Sequence, residues 1–274
     1  LVFSATTAFE EDYILPLSYK EFVYGKRSLL EKFPGLRLAA ISGGQFDNVI
    51  CSRCDAVVAL PKGSGRAFEA FIRELEGVLK NEYAVTDPDV TLTCAAAETA
   101  KAVSAERTVT LVQALTAMPQ GVEAMDTDFP GLVQTSLNMG VVKLGGNGLH
   151  IAFSIRSSIA SRKLMLAQRV RAVAALAGGT VAERGVYPGW QYKRESQFRD
   201  TLLAAYKDLT GKDGVVEATH GGLECGLLME KIPGLDAVSM GPELHDVHSV
   251  RERLSVPSTE RTYELVCELL RRSC

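Results

Sequence analysis

Two hydrophobic periods alternate along this chain, and their order constrains the fold more than any other feature. Phe68, Phe71, Ile72, Leu75, Val78 and Leu79 recur at helical spacing within residues 66–83, which predicts an amphipathic helix with one apolar face. Around it lie short apolar runs at residues 36–41, 56–60 and 90–95. These read as strands, the first two flanking the turn-rich SGGQFDN. Residues 131–142 and 149–156 read as two more, with the glycine-rich KLGGNG between them to close a hairpin. Helical spacing returns over residues 161–177 through Leu164, Ala167, Val170, Val173 and Leu176. That helix should stop at Gly178-Gly179, and a strand over 180–183 should follow. Helices covering an antiparallel sheet make an α+β layer.

From Glu195 the order changes. A helix through Phe198, Leu202, Leu203, Tyr206 and Leu209 ends at Gly211. A strand over 215–218, the glycine-rich HGGLECG, a strand over 237–240 and a final helix over 258–272 follow. Helix and strand in alternation are the mark of α/β units. The chain of 274 residues therefore reads as two domains, 1–192 and 193–274, with the boundary near Tyr192. No internal repeat or low-complexity segment interrupts either.

A hydrophobic content of 46% suits a globular protein with a sizeable core. The net charge of -3 supplies no basic footprint for nucleic acid and no polybasic membrane patch. No apolar run is long enough to span a bilayer, and LVFSATTAFEED lacks the basic and apolar regions of a signal peptide, so a cytoplasmic location is expected. The six cysteines are dispersed, as reduced thiols are. Cys51 and Cys54 form a C-x-x-C, but no second pair or H-x-x-x-H completes a zinc knuckle. The chain opens on Leu1, and its first thirty or so residues carry no motif, so it reads as a fragment or a trimmed piece.

All four histidines lie in the second half: His150, His220, His245 and His248. His220 precedes Gly221-Gly222 at an expected strand end, and GPELHDVHS places His245 and His248 in a loop. Such loops are where α/β folds put ligands, and Asp246 or Glu252 stands near enough to orient a ligating imidazole. On spacing alone, exposed loop histidines are the plainer reading.

Longer motifs add to this. The run VEATHGGLECGLLMEKIPGLDAVSMGPELHDVHSVRERLSVPSTERTYELVCELLRR resembles the C-terminal segment of the Xaa-His dipeptidases (aminoacyl-histidine dipeptidases, of the peptidase D type). PGLVQTSLNMGVV, FSIRSS and YPGWQY resemble the same family. So does SGGQFDNVICSRCDAVVALP, although Cys51 stands where proline is usual. The similarity covers about residues 36–62 and 131–272.

The resemblance implies a di-zinc metallopeptidase with an inserted lid that closes over a dipeptide, in which two zinc ions share a bridging water. It makes residues 1–192 the lid, also a surface for a possible homodimer, and 193–274 the C-terminal part of the zinc-peptidase α/β domain. By motif it implies His248 as a metal ligand and Arg156 as the partner of the substrate's terminal carboxylate, a task suited to a guanidinium fork. Asn48 falls on the asparagine that helps to polarise the scissile carbonyl, and Gly221, Gly222, Leu223 and Glu224 on the substrate-side loop. The plainer alternatives are an edge-strand charge for Arg156, a turn residue for Asn48 and, for Glu224, a residue that caps or solvates the loop. Trp190 reads as a packing anchor. The family's N-terminal H-x-D cannot be matched, because no histidine precedes His150, and the lid's G-H-S-G has no counterpart. The general base stays unassigned: Glu10-Glu11 lacks the flanking motifs. The rivals are a truncated, non-catalytic member acting as a binding or dimerisation module, and a different peptidase or amidase of the superfamily.

Overall fold

The structure is a computed structural model that describes residues 30–97, 101–146, 148–219, 221–247 and 249–273, together with the backbone of a strand over residues 2–6. The chain is a mixture of α and β elements with a largely antiparallel sheet, as the two periods predict. It divides into two compact units. The first holds Leu1–Met125, Thr135–Arg156 and Ser161–Arg184, and the second holds Asp126–Gln134, Ser157–Ala160 and Gly185–Cys274.

The first unit is built on strands β1 (Val2–Thr6), β2 (Arg37–Gly43), β3 (Arg53–Ala59), β4 (Thr91–Ala95), β5 (Gly121–Met125), β6 (Val133–Gly145) and β7 (Gly148–Ser157). They run in the order β4-β1-β3-β2-β6-β5, with β7 paired to β6 as the hairpin pattern predicts. No sequence signal marked β1, yet it lies between β3 and β4, antiparallel to both. The register of β2 on β3 shifts between Leu38 and Ala40. At this point β2 is also tied to the segment around Val103 and Thr108. The Leu38 amide donates to Thr108 Oγ1 at 3.0 Å, and the Leu38 carbonyl accepts from the Val103 amide at 2.8 Å.

Helices of this unit include α1 (Gly65–Glu82), α2 (Ala105–Ala117) and α3 (Ala160–Leu176). Helix α1 buries Phe68, Ile72 and Leu79 and packs against β4. Phe33 meets Phe68 edge-on, with ring centroids 5.4 Å apart. Ser104 caps α2 by accepting from the Arg107 amide, as serine commonly does at that position. Helix α3 ends where its glycines predict: Gly178 has φ +72°, and the Gly179 amide donates to the Ala174 carbonyl at 2.7 Å. The strand expected over 180–183 does not form. Glu183 pairs with Arg171 of α3 at 2.7 Å instead, so the segment is tied to a helix rather than to the sheet.

The second unit carries α4 (Gln197–Thr210), α5 (Glu224–Lys231) and α6 (Val256–Ser273), plus the two-residue ladder of β8 (Leu244–His245) with β9 (Arg253–Leu254). Gly211 closes α4 in the left-handed conformation. The strands expected over 215–218 and 237–240 are not formed either. A strand pattern becomes a strand only when a neighbour supplies the ladder, and no partner strand meets these runs among the described residues.

Candidate active site

The residues singled out in the sequence divide between the two units, and each group is described within its own. In the first, β2 leaves the sheet after Gly43, which sits opposite Val142 of β6. The chain then turns at Gly44, with φ +72°. A β-carbon at Gly44 would overlap the Gly140 carbonyl, and one at Gly140 would overlap the Phe46 carbonyl, so the loop over residues 44–49 lies directly on β6. Asn48 sits at the exposed turn of this loop. Arg156 is exposed near the end of β7, one residue before the buried Ser157.

In the second unit the motif segments converge on a small glycine-lined junction. A β-carbon at Gly189 would lie 2.6 Å from the Ser158 carbonyl oxygen, and one at Gly226 would lie 3.2 Å from the Pro188 carbonyl oxygen. Ser158, the Pro188–Gly189 pair and Gly226 therefore approach one another through backbone, most closely at Gly189. Gly222 has a packing duty of its own, because a β-carbon there would come within 2.5 Å of Tyr187 Cδ1. Burial and then the charge of Glu224 push the Tyr187 phenol above its ordinary range. Glu224 itself is exposed in the first turn of α5, where a carboxylate is favoured by the helix dipole.

Around this junction the segment before α4 is held by polar contacts. Tyr192 meets Phe129 edge-on at 4.8 Å and lies under the Arg199 guanidinium at 4.9 Å. Arg194 donates to Asp128 at 2.8 Å. Ser196 caps α4 and donates to the Asp236 carboxylate, which also accepts the Phe198 amide at 3.1 Å. Burial alone would raise the Asp236 carboxyl, but the Phe198 amide, Ser196 and Lys193 together hold it below its usual range. Tyr187 and Asp236 were not foreseen, since nothing in their local sequence distinguishes them.

His248 and His220 lie outside the described residues. His245 is exposed in β8, and Asp246 behind it takes a positive φ of 52° and pairs with Arg253 at 3.4 Å. Among the described residues no group of three or more His, Cys, Asp or Glu side chains could hold a metal ion.

No protein-family model matches the chain. Over 237 residues, 86% of its length, it is 32% identical to the cytosol non-specific dipeptidase of Escherichia coli (strain K12), covering 49% of that protein. The crystal structure of aminoacylhistidine dipeptidase from Vibrio alginolyticus superposes with a TM-score of 0.83 and 25% identity, over 99% of this chain and 61% of that one. The chain is homologous to dipeptidases of this type. It spans about half the length of the curated dipeptidase it matches. The resemblance read from the motifs is thereby borne out, and so is the mixed fold, now on whole-chain comparison with the dipeptidases. A 35-residue stretch is also 60% identical to the 1,4-alpha-glucan branching enzyme of Chlamydia felis, but it covers 13% of this chain and carries no reading of the rest.

Proposed function

We propose that this chain is part of a metallo-dipeptidase whose complete form hydrolyses dipeptides ending in histidine. The observation that carries this reading is likeness to dipeptidases along nearly the whole chain, in sequence and in fold together. Residues 1–192 are proposed to serve as the lid, with a homodimer contact, and 193–274 as the C-terminal part of the catalytic domain. Arg156 would receive the terminal carboxylate of the dipeptide, Asn48 the scissile carbonyl, and Gly222 and Glu224 would border the substrate. When bound, zinc would supply an activated water, and His248 is the ligand we assign to it from this chain. A cytoplasmic location is proposed from the likeness to the cytosol dipeptidase.

The names of the two relatives differ on specificity, one being non-specific and the other aminoacylhistidine. A panel of Xaa-His and other dipeptides, given to the full-length protein with zinc, separates the two. Equal turnover of dipeptides without histidine would remove the specificity from this proposal. Within the same protein His248→Ala should abolish turnover and release about one metal, while His245→Ala, at an exposed position, should retain most of both. The reverse ranking would show that the ligand is the other histidine. A second reading for the 274-residue chain alone is a module that binds or dimerises without turnover, since no histidine precedes His150 to form an H-x-D. Zinc-dependent hydrolysis of Gly-His by that chain would exclude it.

A further inference from the structure

The loop carrying Asn48 is fastened from beneath by a residue that no functional reading has used. Asn138, in the middle of β6, donates through Nδ2 to the Asp47 carbonyl at 2.8 Å and to the Val49 carbonyl at 2.9 Å. These two carbonyls bracket Asn48. The loop itself faces solvent, with Phe46 62% and Val49 52% exposed, so side-chain burial does not fix its shape. Backbone contacts do. The missing β-carbons of Gly44 and Gly140 let the loop lie on β6, and the Val49 amide donates back to the Phe46 carbonyl at 3.3 Å.

The amide of Asn138 is used one-sidedly. Its Oδ1 is buried and has no hydrogen-bond partner. A buried acceptor left unmet opposes stability, so a residue kept only to strengthen the sheet would be better replaced by an apolar one of the same shape. What asparagine provides here is a pair of donors spaced to grip the chain on both sides of one residue. We infer that Asn138 is a positioning residue, holding the backbone around Asn48 so that the Asn48 side chain keeps one direction towards the dipeptide. This rests on the proposed role of Asn48.

Asn138→Leu keeps the branched shape and removes both donors and the orphaned acceptor. In the 274-residue chain it should leave the melting temperature unchanged or higher, while hydrogen exchange of the Val49 amide rises at least about tenfold as its turn loosens. Asn138→Asp, which turns an oxygen towards the two carbonyls, should loosen the turn at least as much. In the full-length protein, Asn48→Ala and Asn138→Leu should each lower kcat/KM for Gly-His by about tenfold to a hundredfold. The double variant should be no worse than Asn48→Ala alone, because Asn138 acts through Asn48. Losses that multiply, or Val49 exchange unchanged by either Asn138 variant, would overturn the inference. If Asn48→Ala leaves kcat/KM intact while Val49 exchange still responds to Asn138, the substrate role of Asn48 is what has failed, and the positioning role falls with it.

Discussion

The two units are comparable in the regularity of their helices and very different in what those helices bury. In the first, Leu38, Ile41, Phe68, Ile72, Leu137 and Leu166 are almost completely enclosed within one continuous cluster that joins the sheet to its helices. In the second, the buried cluster among the described residues is Ala205, Leu265 and Leu269, flanked by Leu202 and Tyr206 where α4 meets α6. Beside it lies an open apolar groove of about 210 Å³ lined by residues such as Phe198, Met240 and Leu270. Val215, Val256, Tyr263 and Leu270 remain mostly exposed. Helical pattern is thus a local property, whereas a core needs opposing layers, and among the described residues of the second unit the sheet is the two-residue β8–β9 ladder.

The sharpest way to break this comparison is to separate residues 185–274, the larger part of the second unit, from residues 1–184. Residues 185–274 alone should show no cooperative thermal transition by circular dichroism and should bind a hydrophobic dye, because so small a core cannot offset the ordering of the chain. Residues 1–184 should melt cooperatively. A steep transition in the 185–274 piece would show that this part of the second unit is self-sufficient.

Truncation in each core comes next. Phe68→Ala should destabilise the first unit by about 3–5 kcal/mol, since its ring is fully enclosed. Leu269→Ala, beside the open groove, should cost no more than about 2 kcal/mol, the low end for leucine. The sole tryptophan, Trp190, belongs to the second unit, so its fluorescence in a urea titration reports that unit, while circular dichroism reports both. Equal losses would mean that the groove closes in solution.

Gly222→Ala tests whether the glycine-lined junction holds the second unit together. The added methyl meets the Tyr187 ring, and overpacking of this kind costs about 1–3 kcal/mol. Tyr187→Leu in the same chain should recover part of the loss, seen as a rise in the urea midpoint read by Trp190. No recovery would move the importance of Gly222 from packing to backbone shape.

The smallest effect is one of pH. The Asp236 carboxyl is held below its ordinary range, so its contribution to the start of α4 is present above the unfolded carboxylate value, about 3.9, and is lost as pH falls through the lower folded value. The stability gap between wild type and Asp236→Asn, again read by Trp190, should be constant above about pH 5 and shrink below about pH 4. A gap that widens on acidification would reverse the sign and remove the capping role.

The sequence by itself determined the elements that carry their own periodicity and punctuation: α1 from its apolar stripe, the end of α3 from Gly178-Gly179, the end of α4 from Gly211, and the β6–β7 hairpin from the glycines between its strands. It also exposed the dipeptidase resemblance, because long motifs survive as strings. Only the tertiary structure decided that β1 enters the sheet between β3 and β4, and that the runs at 215–218 and 237–240 form no ladder, since pairing depends on what lies alongside and not on the run itself. The site divides in the same way. Asn48 and Arg156 were legible as motif letters. The grip of Asn138 on the carbonyls of Asp47 and Val49 spans 91 and 89 residues of chain, and Gly222 meets the Tyr187 ring through a fold-made contact. Contacts at such separations are set by the path of the backbone, and no local pattern encodes them.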